Sequence, residues 1–411
     1  MSIEKNCIVA QSGGPTVAIN ASLAGVLDQS ISGQSFTCVY GSLNGITGIL
    51  DHRLLNLTQL SKEDPEFIDQ LKVCPSMFLG SCRFKLPSQV DDLLIYEKIF
   101  AYFEELNIDS FFYIGGNDSM DTVLKLSEYA KSIQSPIKII GIPKTIDNDL
   151  CQTDHTPGFG SAAKYIASTL LEIAHDTYIY QLKSVTIVEI MGRDAGWLTA
   201  ASALARNNYN SAPHLIYLPE VAFNKEECIQ DVSELLQKQD NVIIAISEGI
   251  RDKDGNYISA TSAAADTFGH SHLSGAGKNL EYMLKDALGV KVRSLEINVL
   301  QRCAAHLSSL TDLNESMASG AKAVSLALDG VTGAMVTINR TSDMPYTTEI
   351  DYAQIAGIAN EVKNVPRSFI NERGNDVTEE MLCYLRPLIM GEPEISFKNG
   401  LPSYLDVSHL I

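Results

Sequence analysis

The chain has 411 residues, of which 45% are hydrophobic and 20% are charged, and this composition is typical of a folded globular protein with two or three domains. Its net charge of −19 at neutral pH opposes binding to nucleic acids and acidic membrane surfaces, because both depend on neutralising phosphates with Lys and Arg. We therefore expect no nucleic acid and no membrane among its partners.

The cysteines are scattered along the chain, and no pair has the spacing of metal ligands. They are Cys7, Cys38, Cys74, Cys82, Cys151, Cys228, Cys303 and Cys383. Scatter of this kind in a long chain indicates reduced thiols. No basic leader with an apolar segment opens the chain, and no apolar run is long enough to cross a bilayer. The sequence therefore predicts a cytoplasmic protein.

A glycine turn lies near the start of the chain. Residues 6–10 predict a strand, Gly13 and Gly14 follow it, and a helical pattern runs from about 16 to 28. Adjacent glycines let the backbone approach a ligand closely, and the start of a helix offers free N–H groups to an anion. The same turn is equally compatible with a strand-to-helix connection that binds nothing.

The next hundred residues continue the alternation of strands and helices. The sequence predicts a strand and a glycine-rich loop, including Gly41 and Ser42, within 35–50, a helix over 92–106, a strand at 111–114 with the loop 115–119, and a helix over about 119–131. This alternation predicts a parallel sheet that is covered by helices on both faces.

The segment 139–149 carries the strongest chemical signal. A buried-type strand ends in Gly and Pro and is followed at once by Lys144, Thr145, Asp147 and Asp149. Ligands of α/β proteins bind beyond the carboxyl ends of the strands, and a lysine there offers a positive charge to phosphate. Thr, Asn and Asp also build ordinary turns and caps, so this loop alone leaves function and structure equally open.

The second half of the chain repeats the pattern. A helix at about 161–175 precedes a strand at 185–190, whose loop 191–196 leads to a helix near Trp197. The polar loop 247–249 also follows directly on a run of apolar residues. Further strands are predicted at 214–218, 242–247, 291–297 and 334–338. No low-complexity linker or solenoid repeat marks a domain boundary.

Segments from residue 7 to about residue 330 resemble, in order, the motifs of the phosphofructokinase family, and Lys144 resembles the lysine of its pyrophosphate-dependent branch. The resemblance implies an α/β fold of two similar Rossmann-like lobes, with mainly parallel sheets covered by helices and the active site in the cleft between them. It assigns residues 1–158 and about 302–365 to a phosphoryl-donor lobe. Residues 159–301 and 366–411 would form a sugar-phosphate lobe.

The resemblance also implies roles for individual residues. Asp147 corresponds to the base that takes the proton from the 1-hydroxyl of fructose 6-phosphate, and an aspartate of near-normal pKa would be ionised for this at pH 7. Arg83 would touch the transferring phosphoryl group. The residues expected to bind the sugar phosphate are Thr145, Asp147, Asp149, Met191, Gly192, Arg193, Glu248, Arg293 and Arg302. One of the last two arginines would come from a neighbouring subunit, which implies a homo-oligomer with shared active sites.

The phosphoryl donor is expected to bind at Gly13, Gly14, Asn117, Asp118 and Lys144. Where ATP-using relatives have a second glycine, this chain has Asp118, whose carboxylate would clash with and repel the α-phosphate of a nucleotide. Lys144 would pair with pyrophosphate and stabilise the leaving phosphate, so Asp118 and Lys144 join Asp147 and Arg83 as catalytic residues. Pyrophosphate and fructose 6-phosphate are the expected substrates, in both reaction directions.

Mg²⁺ is the expected cofactor, with Asn117 as its predicted protein ligand. Many relatives have an aspartate at that position, and an amide oxygen still suits a hard cation although it brings no charge. Around the sugar, Ser184 after Lys183 stands where many relatives use an arginine from the neighbouring subunit. Val299 replaces a histidine of the bacterial ATP enzymes, and Cys303 with the following alanine replaces two glycines.

Three alternative functions stay open on the sequence. The first keeps the fold and uses ATP, although Asp118 and Lys144 argue against it. The second is a non-catalytic regulatory subunit, although the retention of Asp147, Arg193 and Glu248 argues against that. The third is a transferase that acts mainly on sedoheptulose 7-phosphate. Residues 364–388 resemble an extension of the pyrophosphate branch and receive no role.

Overall fold

The chain folds around two large β-sheets and a short hairpin. The computed structural model describes residues 5–258, 275–358 and 361–410. Its strands are β1 (Asn6–Gln11), β2 (Cys38–Ser42), β3 (Leu54–Asn56), β4 (Ile108–Gly115), β5 (Lys138–Pro143), β6 (Ser184–Ile190), β7 (Leu215–Tyr217), β8 (Asn241–Ser247), β9 (Lys291–Glu296), β10 (Ala334–Asp343), β11 (Tyr346–Gln354), β12 (Phe397–Lys398) and β13 (Leu401–Pro402).

The helices connect these strands and cover the sheets. They are α1 (Ile19–Ser32), α2 (Ile46–Leu50), α3 (Leu57–Glu63), α4 (Phe67–Val73), α5 (Leu93–Glu105), α6 (Asn117–Ser132), α7 (Phe159–Tyr178), α8 (Trp197–Ala201), α9 (Lys225–Lys238), α10 (Ala276–Leu288), α11 (Leu310–Leu328) and α12 (Glu379–Leu385).

The first sheet has seven strands in the order β11-β10-β5-β4-β1-β2-β3. The five inner strands are parallel, and β3 and β11 pair antiparallel at the two edges. Successive side chains of a strand point to opposite faces, so Ile8 of β1 packs with α5 and α6 whereas Val9 packs with α1 and α11. Both faces are therefore buried, as the run of apolar residues predicts.

The second sheet has four parallel strands in the order β7-β8-β6-β9. Its two faces again have separate cores, because Val188 of β6 packs toward α7 and α8 and Ile187 packs toward α9 and α10. The two mainly parallel, helix-covered sheets confirm the predicted α/β class.

Several element boundaries differ from the predictions. Helix α1 begins at Ile19, three residues later than expected, because the hydroxyl of Thr16 accepts hydrogen bonds from the N–H groups of Ala18 and Ile19 at 3.3 and 3.0 Å. Helix α6 begins at Asn117, two residues earlier than expected, so the loop after β4 is shorter. Gly41 and Ser42 belong to β2 rather than to the loop after it.

The C-terminal segment crosses between the lobes. Residues from Val365 to Leu388 pack on the core of the second sheet. The tail returns to the first lobe, where Leu405 packs against its core and a ring nitrogen of His409 lies 2.7 Å from the carbonyl oxygen of Phe78. Assigning all of 366–411 to the sugar-phosphate lobe therefore does not describe the contacts of the tail.

Among the described residues, no helix combines the length and the apolar character needed to cross a membrane. All eight cysteines are unpaired.

Candidate active site

A cavity of about 590 Å³ opens between the two sheets, beyond the carboxyl ends of β1, β4, β5, β6 and β8. It brings together thirteen of the fifteen predicted site residues. These are Gly13, Gly14, Arg83, Asn117, Asp118, Lys144, Thr145, Asp147, Asp149, Met191, Arg193, Glu248 and Arg302. Gly192 lies between two of these residues in the chain, whereas Arg293 lies elsewhere. Five loops that are distant in sequence thus meet at the position where α/β proteins bind ligands.

Lys144 is held against the glycine turn. Its Nζ donates hydrogen bonds to the carbonyl oxygens of Ser12 and Gly14 at 2.9 and 2.6 Å, and the side chain is 2% exposed. Gly13 has a φ of +81°, and a Cβ at this glycine would lie 3.3 Å from the Lys144 Nζ, so the turn favours glycine here. Burial and the nearby Arg302 lower the pKa of Lys144 to about 7, so an arriving phosphate anion would favour its charged form.

The first turn of α6 lies at the cavity and carries two of the residues predicted to bind the donor. Gly116 is the N-cap of this helix, so the free N–H groups of its first turn point toward the cavity end of β4. Asn117 and Asp118 line the cavity from this turn. The sequence signal for the turn was the apolar strand that runs directly into two glycines.

Asn117 has an amide oxygen that suits a cation. Its Nδ2 donates a hydrogen bond to the carbonyl oxygen of Glu361 at 2.9 Å, and its buried Oδ1 has no hydrogen-bond partner among the described residues. These residues contain no group of three or more His, Cys, Asp or Glu side chains arranged to hold a metal. Mg²⁺ commonly needs only one or two protein ligands when substrate phosphates and water supply the rest, so the site fits an ion that arrives with the donor.

Asp147 and Asp149 lie on the loop after β5. The backbone N–H of Asp147 donates to Thr145 Oγ1 at 3.1 Å, and Asn148 between the two aspartates is fully buried with a φ of +54°. This left-handed residue directs the chain so that both carboxylates line the cavity. Burial and the neighbouring Asp149 raise the pKa of Asp147, and burial raises that of Asp149. The expectation of a near-normal pKa for Asp147 is therefore wrong.

The second lobe contributes the loops after β6 and β8. Glu248 accepts a hydrogen bond from the N–H of Gly192 at 3.4 Å, and its own N–H donates to the Ile190 carbonyl at 2.9 Å. A Cβ at Gly249 would lie 1.8 Å from the carbonyl oxygen of Arg193, so only glycine lets the two loops come this close. Burial and the proximity of Asp147 raise the pKa of Glu248 to about 7.

The two arginines predicted to bind the sugar 6-phosphate have different environments. Arg302 lines the cavity, and a Cβ at Gly14 would lie 3.1 Å from its Nη1. Burial and the nearby Arg83 lower the pKa of Arg302. Arg293 instead donates to Thr186 and Thr177 at 3.1 and 3.0 Å and lies outside the cavity.

Sequence reasoning missed several acidic residues of the cavity. Glu189, Asp194 and Glu296 also line it. Glu189 accepts a hydrogen bond from the N–H of Gly277 at 2.7 Å, and burial raises its pKa. The available signal was the position of Glu189 and Glu296 near the carboxyl ends of paired strands β6 and β9.

Known proteins with similar sequences point to one family. Residues 6–327 match the family model described as Phosphofructokinase. The pyrophosphate--fructose 6-phosphate 1-phosphotransferase of Halomonas elongata is 42% identical over 402 residues, covering 97% of this chain and 95% of the relative. The protein of the same name from Methylococcus capsulatus is 39% identical, covering 99% of this chain and 96% of the relative.

Solved structures agree with the sequence relatives. The pyrophosphate-dependent phosphofructokinase of Marinobacter aquaeolei superposes with a TM-score of 0.86 at 37% identity, covering 97% of this chain and 95% of that chain. The phosphofructokinase of Saccharomyces cerevisiae, at 18% identity and a TM-score of 0.66, covers 87% of this chain and 45% of its own, and shares the fold. On the sequence match, the near-full-length relatives and the fold, this chain belongs to the phosphofructokinase family.

Proposed function

We propose that this protein transfers a phosphoryl group reversibly from pyrophosphate to the 1-hydroxyl of fructose 6-phosphate, giving fructose 1,6-bisphosphate and phosphate in glycolysis and gluconeogenesis. The observation that supports this most directly is the meeting of Lys144 and Arg83 with Asp147 in one cleft. The donor would bind to a lobe of residues 1–158 and about 302–365. The sugar would bind to the lobe formed mainly by 159–301.

The chemistry follows from these positions. The 1-hydroxyl oxygen attacks the terminal phosphorus, the bond to the bridging oxygen breaks, and the hydroxyl proton passes to the carboxylate of Asp147. Arg83 stabilises the negative charge that spreads over the transferring group, Lys144 stabilises that of the leaving phosphate, and Arg302 holds the 6-phosphate of the sugar. The protonated Asp147 returns its proton in the reverse reaction, so one set of residues serves both directions.

Mg²⁺ is part of the proposal, with Asn117 as the protein residue that would hold it. When bound, the ion neutralises phosphate charge. The assignment is supported by the buried Oδ1 of Asn117, which has no hydrogen-bond partner in the part of the chain that the structure describes. The first turn of α6 would hold the donor phosphates beside it through N–H groups.

The choice of donor rests on Asp118 and Lys144. Asp118 lies in the first turn of α6, where its carboxylate would repel the α-phosphate of a nucleotide. Lys144 lies at the glycine turn, where its ammonium group would bind the second phosphate of pyrophosphate. The relatives from Halomonas elongata and Methylococcus capsulatus carry pyrophosphate in their names. ATP as donor is therefore the weaker alternative.

The experiment measures initial rates with fructose 6-phosphate and Mg²⁺, comparing pyrophosphate with ATP, on wild type and Asp118→Gly. We expect turnover of wild type with pyrophosphate only, and some use of ATP by the variant, because the repelling carboxylate is gone. Asp69→Gly is the matched control, since Asp69 also lies in the first turn of a helix, exposed and away from the cleft. Use of ATP by wild type would contradict the donor assignment, and no turnover with either donor would support the regulatory-subunit alternative.

We also propose a cytoplasmic homo-oligomer, a dimer or a tetramer, with shared active sites. Arg293 lies outside the cavity of its own chain, so it has a role in binding only if it reaches a neighbouring one. Close to it, Tyr178, Ile179, Tyr180 and Leu182 are 40–70% exposed. A group of exposed apolar side chains beside a functional arginine supports a subunit interface there.

A second candidate acceptor is a longer phosphosugar such as sedoheptulose 7-phosphate. Val299 stands where the ATP enzymes have a histidine, and the carboxylates of Glu189 and Glu296 line the same cavity. These differences favour an acceptor that differs from fructose 6-phosphate at the end opposite its 1-hydroxyl. A 30% identical protein of Alkalicoccus urumqiensis, named sulfofructose kinase, indicates that acceptors vary among relatives. Comparing kcat/KM for the two sugar phosphates decides between them.

A further inference from the structure

A short C-terminal segment, residues 361–365, connects loops of the active site that belong to both lobes. We call it the 361–365 strap. At its first residue, the carbonyl oxygen of Glu361 accepts a hydrogen bond from Asn117 in the first turn of α6 at 2.9 Å. At its third residue, the N–H of Lys363 donates to the carbonyl oxygen of Asp149 at 2.8 Å. The first turn of α6 is called the donor turn below. Within three residues, the strap thus contacts both the donor turn and the loop after β5 that carries Asp147.

The side chain of Lys363 contacts the same loop, which follows β5. Its Nζ donates to the carbonyl oxygens of Thr153 and Asp154 at 3.1 and 2.7 Å, and lies 3.4 Å from Oδ1 of Asn148. Asn148 stands between the two aspartates of the site in a left-handed conformation that other residues adopt less readily. One lysine therefore fixes the backbone on which Asp147 and Asp149 are mounted.

The other side of the strap contacts the sugar lobe. The carbonyl oxygen of Lys363 accepts a hydrogen bond from the indole N–H of Trp197 at 2.8 Å, and its Nζ lies 5.3 Å from the centre of that ring. Two residues on, the N–H of Val365 donates to Glu220 at 2.9 Å, and the same carboxylate oxygen accepts from the N–H of Gly196. Gly196 and Trp197 lie at the end of the loop after β6, which carries Arg193 and is called the sugar loop below.

Tyr384 supports the loop from helix α12. Its hydroxyl accepts a hydrogen bond from Asn148 Nδ2 at 2.9 Å and donates to the carbonyl oxygen of Asp154 at 2.7 Å. Its ring lies 5.3 Å from that of Trp197. Lys363 and Tyr384 thus both bond, from the C-terminal part of the chain, to the side chain of Asn148 and to the carbonyl oxygen of Asp154.

We propose that Lys363 is a positioning residue of the phosphoryl-transfer reaction, which holds the loop of Asp147 and Asp149 in register with the donor turn and the sugar loop. The proposal rests on the proposed function for its readout of activity. Its physical basis is that a displacement of a catalytic group by about 1 Å can cost on the order of 100-fold in rate. Lys363 itself does not line the cavity, so it acts through the loop rather than on the substrates.

The test replaces Lys363 by methionine, which keeps the length of the side chain and removes its hydrogen-bond donors and its charge. The matched control is Lys164→Met. Lys164 is also a buried lysine that donates to a backbone carbonyl, that of Gly391 at 2.6 Å, and it lies outside the cavity. We expect kcat of Lys363→Met to fall about 10- to 100-fold. KM for each substrate should change by less than about three-fold, because the binding groups remain.

Two further measurements keep the test decisive if Lys363→Met folds poorly. Tyr384→Phe removes only the hydroxyl and keeps the ring, and we expect a smaller fall in kcat than in Lys363→Met, because Lys363 still holds the loop. Trp197 is the only tryptophan of the chain, so its fluorescence reports on the strap directly. We expect its emission to change in Lys363→Met, which loses the ammonium group above the ring, and to stay constant in Lys164→Met.

The outcomes separate this proposal from the function on which it rests. No turnover by wild type with pyrophosphate and fructose 6-phosphate contradicts the proposed function, and unchanged Trp197 emission in Lys363→Met then overturns the strap contacts as well. If wild type turns over, the positioning role is overturned when Lys363→Met and Tyr384→Phe keep the wild-type kcat, or when Lys164→Met loses as much kcat as Lys363→Met. A loss of kcat confined to the two strap variants supports it.

Discussion

The pair of aspartates after β5 gives the site a pH dependence that follows from their environment. In its proposed role as the base, Asp147 must be deprotonated, and its pKa is raised by burial and by the neighbouring carboxylate of Asp149. The rate should therefore fall on the acid side at a higher pH than an ordinary aspartate would produce. Because kcat/KM reports on groups of the free enzyme, its acid limb is the quantity to follow.

Asp149→Asn tests this coupling. The substitution removes a like charge, so the pKa of Asp147 falls and the acid limb of kcat/KM moves to lower pH, while KM for the sugar rises because a predicted contact is lost. Asp109→Asn, in a residue that pairs with Lys5 outside the cavity, should leave the limb in place. If the acid limb of kcat/KM is unchanged or moves to higher pH in Asp149→Asn, a group other than Asp147 controls the fall of kcat/KM at low pH.

Residue-level reasoning from the sequence predicted residues that mostly line one cavity, because the motifs lie at the ends of apolar strands. Asp147, Lys144 and Glu248 all follow strands of the parallel sheets, and the fold brings such ends together. It did not find Lys363, because a lysine in a segment without periodicity has no signal until the tertiary contacts are known. It also missed the raised pKa of Asp147, which depends on burial by the whole cleft.

At the level of elements, the sequence predicted the parallel strands and missed both antiparallel edge strands, β3 and β11. The residues of β11 alternate between exposed and half-buried positions, so they lack the continuous apolar run that marked the inner strands. The strand is anchored to helix α11 by Glu315, which accepts hydrogen bonds from Tyr346 and Thr348 at 2.8 and 3.0 Å. The same carboxylate lies 2.7 Å from Nε2 of the buried His155.

Glu315→Gln should weaken this junction in a pH-dependent way. Hydrogen bonds and attraction to the carboxylates raise the pKa of His155 against its burial, so its contribution to stability is present below its ordinary pKa of 6.5 and is lost as pH rises through the raised value. Hydrogen bonds with His155 lower the pKa of Glu315 against its burial, so its contribution is present above 4.5 and is lost as pH falls.

Both contributions are therefore present between pH 4.5 and 6.5, and there the free energy of unfolding should fall by about 3 kcal/mol in the variant. Denaturant unfolding at several pH values measures this loss, which should shrink toward alkaline pH. Glu379→Gln is the control, because its partner Arg386 is 56% exposed and such surface pairs contribute little. An equal loss in both variants, or no dependence on pH, would contradict the account.

At the scale of the whole molecule, the position of Arg293 predicts that two chains complete one site. Arg293→Ala and Asp147→Asn should each be nearly inactive, and a re-equilibrated mixture of the two should regain activity. In a mixed dimer, the Asp147→Asn chain lends its Arg293 to the intact Asp147 of the other chain. Random pairing of a dimer then predicts recovery of about a quarter of the wild-type activity.

The control mixes Asp147→Asn with Arg302→Ala. Both residues line the cavity of the same chain, so every site of a mixed dimer lacks one of them and no activity should return. Ultracentrifugation of each mixture gives the oligomeric state at the same concentration. Recovery of activity in the control mixture, or an active monomer, would contradict the prediction that two chains share each active site.

The return of late residues to the first lobe has a consequence for the order of synthesis. Strand β10 lies beside β5 in the first sheet, yet the ribosome makes it only after the whole second sheet. A nascent chain that ends near residue 330 therefore leaves the β5 edge, from which Lys144 and Asp147 follow, without its neighbour. The 361–365 strap also belongs to the last fifth of the chain, so we expect truncated chains to carry Lys144 and Asp147 without the contacts that hold their loop.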